Sequence, residues 1–152
     1  MITLKMLVIM MKRKPRIILF FFTVLFLFSG FGSVHSANAP DDKVVVYYFH
    51  RTIRCHSCNL LEEITRETVR LCFEREAAKG SVELKIVNMD DPDKAHYIKY
   101  FKLPYQSIVL EKREKGTVKT WKRLDKVWDH LNEQHKMIVY IESEIKKLLS
   151  KS

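Results

Sequence analysis

The feature that most constrains this chain is a pair of cysteines, Cys55 and Cys58, set two residues apart where a strand-like run gives way to a helical pattern. Val44-Val45-Val46-Tyr47-Tyr48-Phe49-His50 is apolar, β-branched and aromatic throughout. Such a continuous run suits a central strand buried on both faces rather than a strand with one wet face. A short basic loop, Arg51-Thr52-Ile53-Arg54, leads into Cys55-His56-Ser57-Cys58, and helical spacing begins at once. Two thiols placed across a first helical turn can close a small disulfide ring. The first sulfur then sits at the positive end of the helix dipole, which favours its thiolate.

The segment before this unit reads as an export leader over residues 1–36. Lys12-Arg13-Lys14-Pro15-Arg16 is a basic patch, and Ile17 to Phe28 forms a run of 12 that is apolar except for Thr23. That length matches the hydrophobic part of a signal peptide and is too short for a standard membrane span. Ser29-Gly30-Phe31-Gly32-Ser33 breaks the run, and Val34-His35-Ser36 offers a cleavage point before Ala37. An uncleaved N-terminal anchor is the alternative; on either reading the rest of the chain is exported, and membrane contact is confined to the N-terminal segment. Residues 37–42 form a polar linker and residues 43–150 a single domain.

Charge placement matters more than its total. The chain of 152 residues carries a formal +9, but Lys5, Lys12, Arg13, Lys14 and Arg16 precede residue 37 without any Asp or Glu among them, so +4 remains beyond it. A modest charge over mixed-sign helices is a solvated surface, and no nucleic-acid partner is expected. Three cysteines exclude a scaffold of several disulfides, since one intrachain pair leaves a thiol over.

Downstream, the spacing predicts a helix over residues 59–78, with Leu61, Ile64, Thr68, Leu71 and Cys72 on its buried face and Gly80 as a C-terminal cap. Val82 to Val87 alternates like a strand. Asp91 caps a short helix over residues 93–101, with Pro92 at its first position. Two strands separated by a helix imply parallel pairing. Leu103-Pro104-Tyr105 is a turn, Ser107 to Glu111 a strand, Arg113 to Gly116 a hairpin connection and Thr117 to Trp121 the return strand. Leu124, Val127, Trp128 and Leu131, then Ile138, Ile141, Ile145 and Leu148, mark one helical face, with a break expected at residues 132–135. Trp121 and Trp128 are both expected to be core packing. The order is β-α-β-α-β-β-α: an α/β fold with a mixed four-stranded sheet flanked by helices.

This order, with Cys55-His56-Ser57-Cys58 opening the first helix, resembles the thioredoxin fold. More narrowly, Tyr47-Tyr48-Phe49-His50, Arg54-Cys55-x-x-Cys58 and Leu124-Asp125-Lys126-Val127-Trp128 are similar to the family called nitrophenyl compound nitroreductase subunit ArsF, small exported thioredoxin-like proteins. The resemblance spans about residues 43–150 and implies a redox accessory role. Two departures from thioredoxin stand out. Thioredoxin has a buried Asp on the first strand that aids deprotonation of the second cysteine; the nearest position here is Tyr47. It also places a cis-proline before the hairpin. Pro104 is the candidate, yet alignment of the strand puts Gln106 at that position, so Pro104 is open to either isomer.

The chemistry these residues suit is disulfide exchange, with Cys55 as nucleophile and Cys58 as the resolving thiol. His50, Arg51, Arg54 and His56 are expected to make the mouth basic, to lower the Cys55 pKa and so to make the disulfide a better oxidant than a typical thioredoxin's. Arg54, His56 and Pro104 are therefore the candidate modulating residues. His56 can act as a charged neighbour or be incidental; His50 can do the same or serve as a hydrogen-bonded shoulder of the core. Cys72 is expected to be a buried, inert thiol. No cofactor and no resident metal are expected. The partners are protein thiols and disulfides, or a partner reductase. Two other readings stand beside this one: a redox-idle thioredoxin-like subunit that docks on a reductase, and a module in which Cys55, His56 and Cys58 capture copper or zinc.

Overall fold

The computed structural model describes residues 40–150; the expected leader and its cleavage point lie outside them. The described residues form a mixed sheet of four strands, β1 (Asp42–His50), β2 (Val82–Asn88), β3 (Ser107–Glu114) and β4 (Thr117–Arg123), in the order β2-β1-β3-β4. β1 runs parallel to β2 and antiparallel to β3, which pairs antiparallel with β4. Its continuous apolar run follows from that place: as an inner strand it is buried from Val44 to His50.

The period-2 pleat of β1 feeds two cores. Val44, Val46 and Tyr48 face α1 (His56–Cys72) and α4 (Gln134–Leu149), against Leu61, Ile64, Ile141 and Ile145. Val45, Tyr47 and Phe49 face the other way, against Phe101, Leu103 and Val109. That second face is covered by a 3-10 turn at Pro92–Lys94 and the single-turn helix α3 (His96–Tyr100). Asp91 caps the turn as expected, accepting from the Asp93 amide, with Pro92 next in line.

Two expectations change. The helix after the cysteines starts at His56, not at residue 59, and breaks at Phe73, whose backbone leaves helical geometry (φ −135°, ψ 26°) as its ring enters the core; a short α2 (Glu74–Ala78) follows. Leu71 is 57% exposed. At 100° per residue, Leu61, Ile64, Thr65, Thr68 and Val69 share one stripe, and Leu71 falls outside it. Buried Thr65 and Thr68 satisfy their hydroxyls on the Leu61 and Ile64 carbonyls, at 2.6 and 2.7 Å. Trp121 and Trp128 both pack on the core as expected, on opposite faces of the sheet. Trp121 lies against Phe101 on one face, and Trp128 lies with Tyr105 on the other.

The break near residues 132–135 is real: a 3-10 segment, Asp125–His130, precedes α4. Lys115 and Gly116, both with positive φ, make the two-residue β3–β4 turn that matches strand twist. No helix among the described residues is long and apolar enough to cross a membrane.

Candidate active site

Cys55 occupies the N-cap of α1 in an extended conformation and is exposed. Cys58, one turn in, is 2% exposed. The two are joined as a disulfide, their Cα atoms 5.2 Å apart. The Cys58 amide donates to the Cys55 sulfur at 3.3 Å, as it would to an N-capping oxygen. A donor aimed at that sulfur, together with the helix dipole, stabilises a thiolate there once the disulfide opens.

Behind Cys58 stands Tyr48, fully buried, its hydroxyl donating to the Cys58 carbonyl at 2.6 Å. Burial, then the neighbouring Glu62 carboxylate, push its phenol up to about 12, so it remains a donor at any working pH. The sequence comparison pointed to Tyr47 as the nearest counterpart of thioredoxin's buried acid. Strand alternation instead turns Tyr47 to the far face, where it stacks on Phe49 and meets Glu111, and brings Tyr48 under the cysteines. Tyr48→Phe is expected to cost about 1 kcal/mol, the net worth of one buried hydrogen bond. Denaturant unfolding of the oxidised protein measures it, and an unchanged midpoint would show that the bond contributes nothing.

The basic mouth is less basic than its sequence. Arg51 donates to Asp90 at 2.9 Å. Arg54 is paired with Glu62, and its second guanidinium nitrogen lies 2.7 Å from His50 Nε2. Because the guanidinium can only donate, Nε2 accepts; His50 Nδ1 then carries the proton and donates to the Arg51 carbonyl at 3.0 Å. His50 is thus the buried, hydrogen-bonded shoulder. His56 is exposed at the first position of α1.

Asp90 and Asn88 carry no sequence signal that would single them out. Asp90 accepts the Thr52 amide at 2.8 Å as well as Arg51, and the Asn88 amide group donates to the Thr52 hydroxyl at 3.0 Å. The loop between β1 and α1 is therefore tied to the end of β2, with Ile53 left 89% exposed at its tip. The Thr52 amide, and beyond it the Thr52 side chain and Arg51, hold the Asp90 carboxyl below its ordinary value. A lowered carboxyl means a tie that is present above the unfolded value of ~3.9 and lost as pH falls through the folded one. The Thr52 amide resonance is accordingly expected to titrate with a midpoint below ~3.9, and Asp90→Asn to raise its exchange rate. A midpoint at or above that value would contradict the tie.

Two further expectations resolve. Every peptide bond among the described residues is trans, so Pro104 is not a cis-proline. It is exposed in the turn, and Tyr105 and Gln106 intervene before β3 begins. Cys72 is free and half-buried rather than fully buried; burial, and then Glu142, push its thiol above its ordinary value. Among the described residues no three His, Cys, Asp or Glu side chains converge on a possible metal position.

Strand order, the parallel β1–β2 pair, the antiparallel hairpin and a dithiol at the start of α1 together define a thioredoxin-like α/β fold. No family model and no curated protein sequence matches the chain. Similar solved structures include thioredoxin O2 of Arabidopsis thaliana in its oxidized state (17% identity, 74% of this chain and 81% of that one, TM-score 0.41). The thioredoxin of Trypanosoma brucei brucei (13%, 71% and 79%, TM-score 0.41) is another, as is a structure described as a malarial protein (19%, 66% and 96%, TM-score 0.41).

Proposed function

We propose that this chain is an exported thiol–disulfide oxidoreductase that works through Cys55 and Cys58. The observation that carries the reading is the asymmetry of the pair: one sulfur in reach of solvent at a helix N-cap, the other buried one turn behind it and already bonded to the first. In the reducing direction the Cys55 thiolate attacks a substrate disulfide, expels one substrate thiolate and forms a mixed disulfide. Cys58, deprotonated, then attacks the Cys55 sulfur, releasing the second substrate thiolate and closing the protein disulfide. Two electrons pass from the protein dithiol to the substrate, and the reverse sequence oxidises a substrate dithiol. Export rests on the leader-like composition of residues 1–36.

Insulin reduction driven by dithiothreitol tests the reading: catalysed precipitation of the insulin B chain is expected. A folded protein that leaves the rate at the uncatalysed level would overturn it. That result would favour the second reading, a redox-idle thioredoxin-like subunit that docks on a partner reductase. The exposed Ile53 beside the cysteines is the feature such a docked partner would cover.

A further inference from the structure

We infer that Glu62 sets the redox potential of the Cys55–Cys58 pair by pairing with Arg54 and so partly neutralising the charge that the residue before the nucleophile carries. The inference rests on the oxidoreductase reading and adds a tuning residue to it. Arg54 immediately precedes Cys55, and its guanidinium is the nearest fixed positive charge in the sequence to that sulfur. In the structure it is turned onto the flank of α1, bonded to Glu62 and to His50. Glu62 lies one helical turn beyond Cys58, its side chain only 13% exposed, and it also accepts from Arg66 at 2.8 Å. The second arginine of the loop, Arg51, is matched by Asp90. Each loop arginine therefore faces a carboxylate, Arg54 sharing its own with Arg66.

The consequence follows from what reduction creates. Opening the disulfide with two glutathione thiols gives the protein dithiol and glutathione disulfide, and the dithiol form carries its negative charge on Cys55. An uncompensated cation beside that thiolate stabilises the reduced form and makes the disulfide more oxidising; a paired one does so less. Glu62 thus restrains an oxidising tendency that the loop sequence would otherwise confer. It is a positioning residue, acting on sulfur only through Arg54.

The test is the glutathione equilibrium and the Cys55 thiolate titration, read by ultraviolet absorbance, for E62Q, R54Q and the double variant. E63Q is the control, because Glu63 is exposed on the same turn and its replacement changes net charge equally. We expect E62Q to shift the equilibrium about tenfold toward reduced protein, about 30 mV for a two-electron couple. R54Q should shift it little or the other way, and the double variant should return near the parent, showing that the Glu62 effect runs through Arg54. A shift for E62Q no larger than for E63Q, or one that persists in the R54Q background, overturns the inference while leaving the oxidoreductase reading intact. A parent protein that does not exchange with glutathione at all overturns that reading and the inference with it.

Discussion

Replacing Cys58 by serine should leave a chain that attacks disulfides but cannot release them. Cys55 keeps its exposed position and its N-cap surroundings in that variant, so it still forms a mixed disulfide with glutathione. The intramolecular thiol that would resolve the adduct is gone, so the adduct accumulates toward one per chain. Cys55→Ser should behave in the opposite way. The remaining Cys58 is 2% exposed behind the first turn of α1, where a substrate disulfide cannot line up with it, so adduct formation should fall to background. Insulin reduction should fall to the uncatalysed rate in both. Mass spectrometry of the intact proteins separates them. The third thiol is less competitive: Cys72 is half-buried, and burial, then Glu142, push its thiol above its ordinary value, which disfavours the attacking thiolate. Equal adduct on the two variants would mean that Cys58 is as reachable as Cys55, and the division of roles would fail.

The placement of the two sulfurs was legible in the sequence because it depends on local rules. A buried-strand run, a Cys-x-x-Cys and a helical stripe fix which sulfur sits at the N-cap and which lies one turn inside. The parallel β1–β2 pair and the hairpin were legible for the same reason, being set by connection length and turn residues. The electrostatics of the mouth were not. Arg51 and Arg54 read as free charges because their partners lie far away in sequence or on the next element: Asp90 in the loop after β2, Glu62 inside α1. Nothing in a pattern of residue types says which carboxylate will meet which guanidinium. Tyr48 was missed for a subtler reason. The phase of a strand decides which of two adjacent tyrosines faces the cysteines, and a continuous apolar run carries no alternation from which to read that phase. The break at Phe73 likewise turns on where one large ring finds room, a matter of packing rather than of period.

Phe101→Ala should be the most destabilising single truncation on the face of the sheet that carries no long helix among the described residues. Phe101 is fully buried, with ring centroids 5.4 Å from Tyr47, 5.6 Å from Phe49 and 5.4 Å from Trp121. It stands where α3 ends, so one side chain fastens that short helix to the inner strand β1. The opposite face has α1 and α4 to share its load; this one has a single turn of α-helix and a 3-10 turn. Removing a buried Phe costs about 3–5 kcal/mol, a large part of the ~5–15 kcal/mol that holds an ordinary domain together. Denaturant unfolding should show that loss, and one below ~1 kcal/mol would mean that the aromatic cluster closes over the gap. The two faces also make different demands on the chemistry. Val44, Val46 and Tyr48 hold the dithiol helix from the other side of the sheet, so whatever fraction of Phe101→Ala remains folded should keep the parent's glutathione equilibrium. A potential that moved with Phe101 would show instead that the aromatic face reaches the sulfurs through β1.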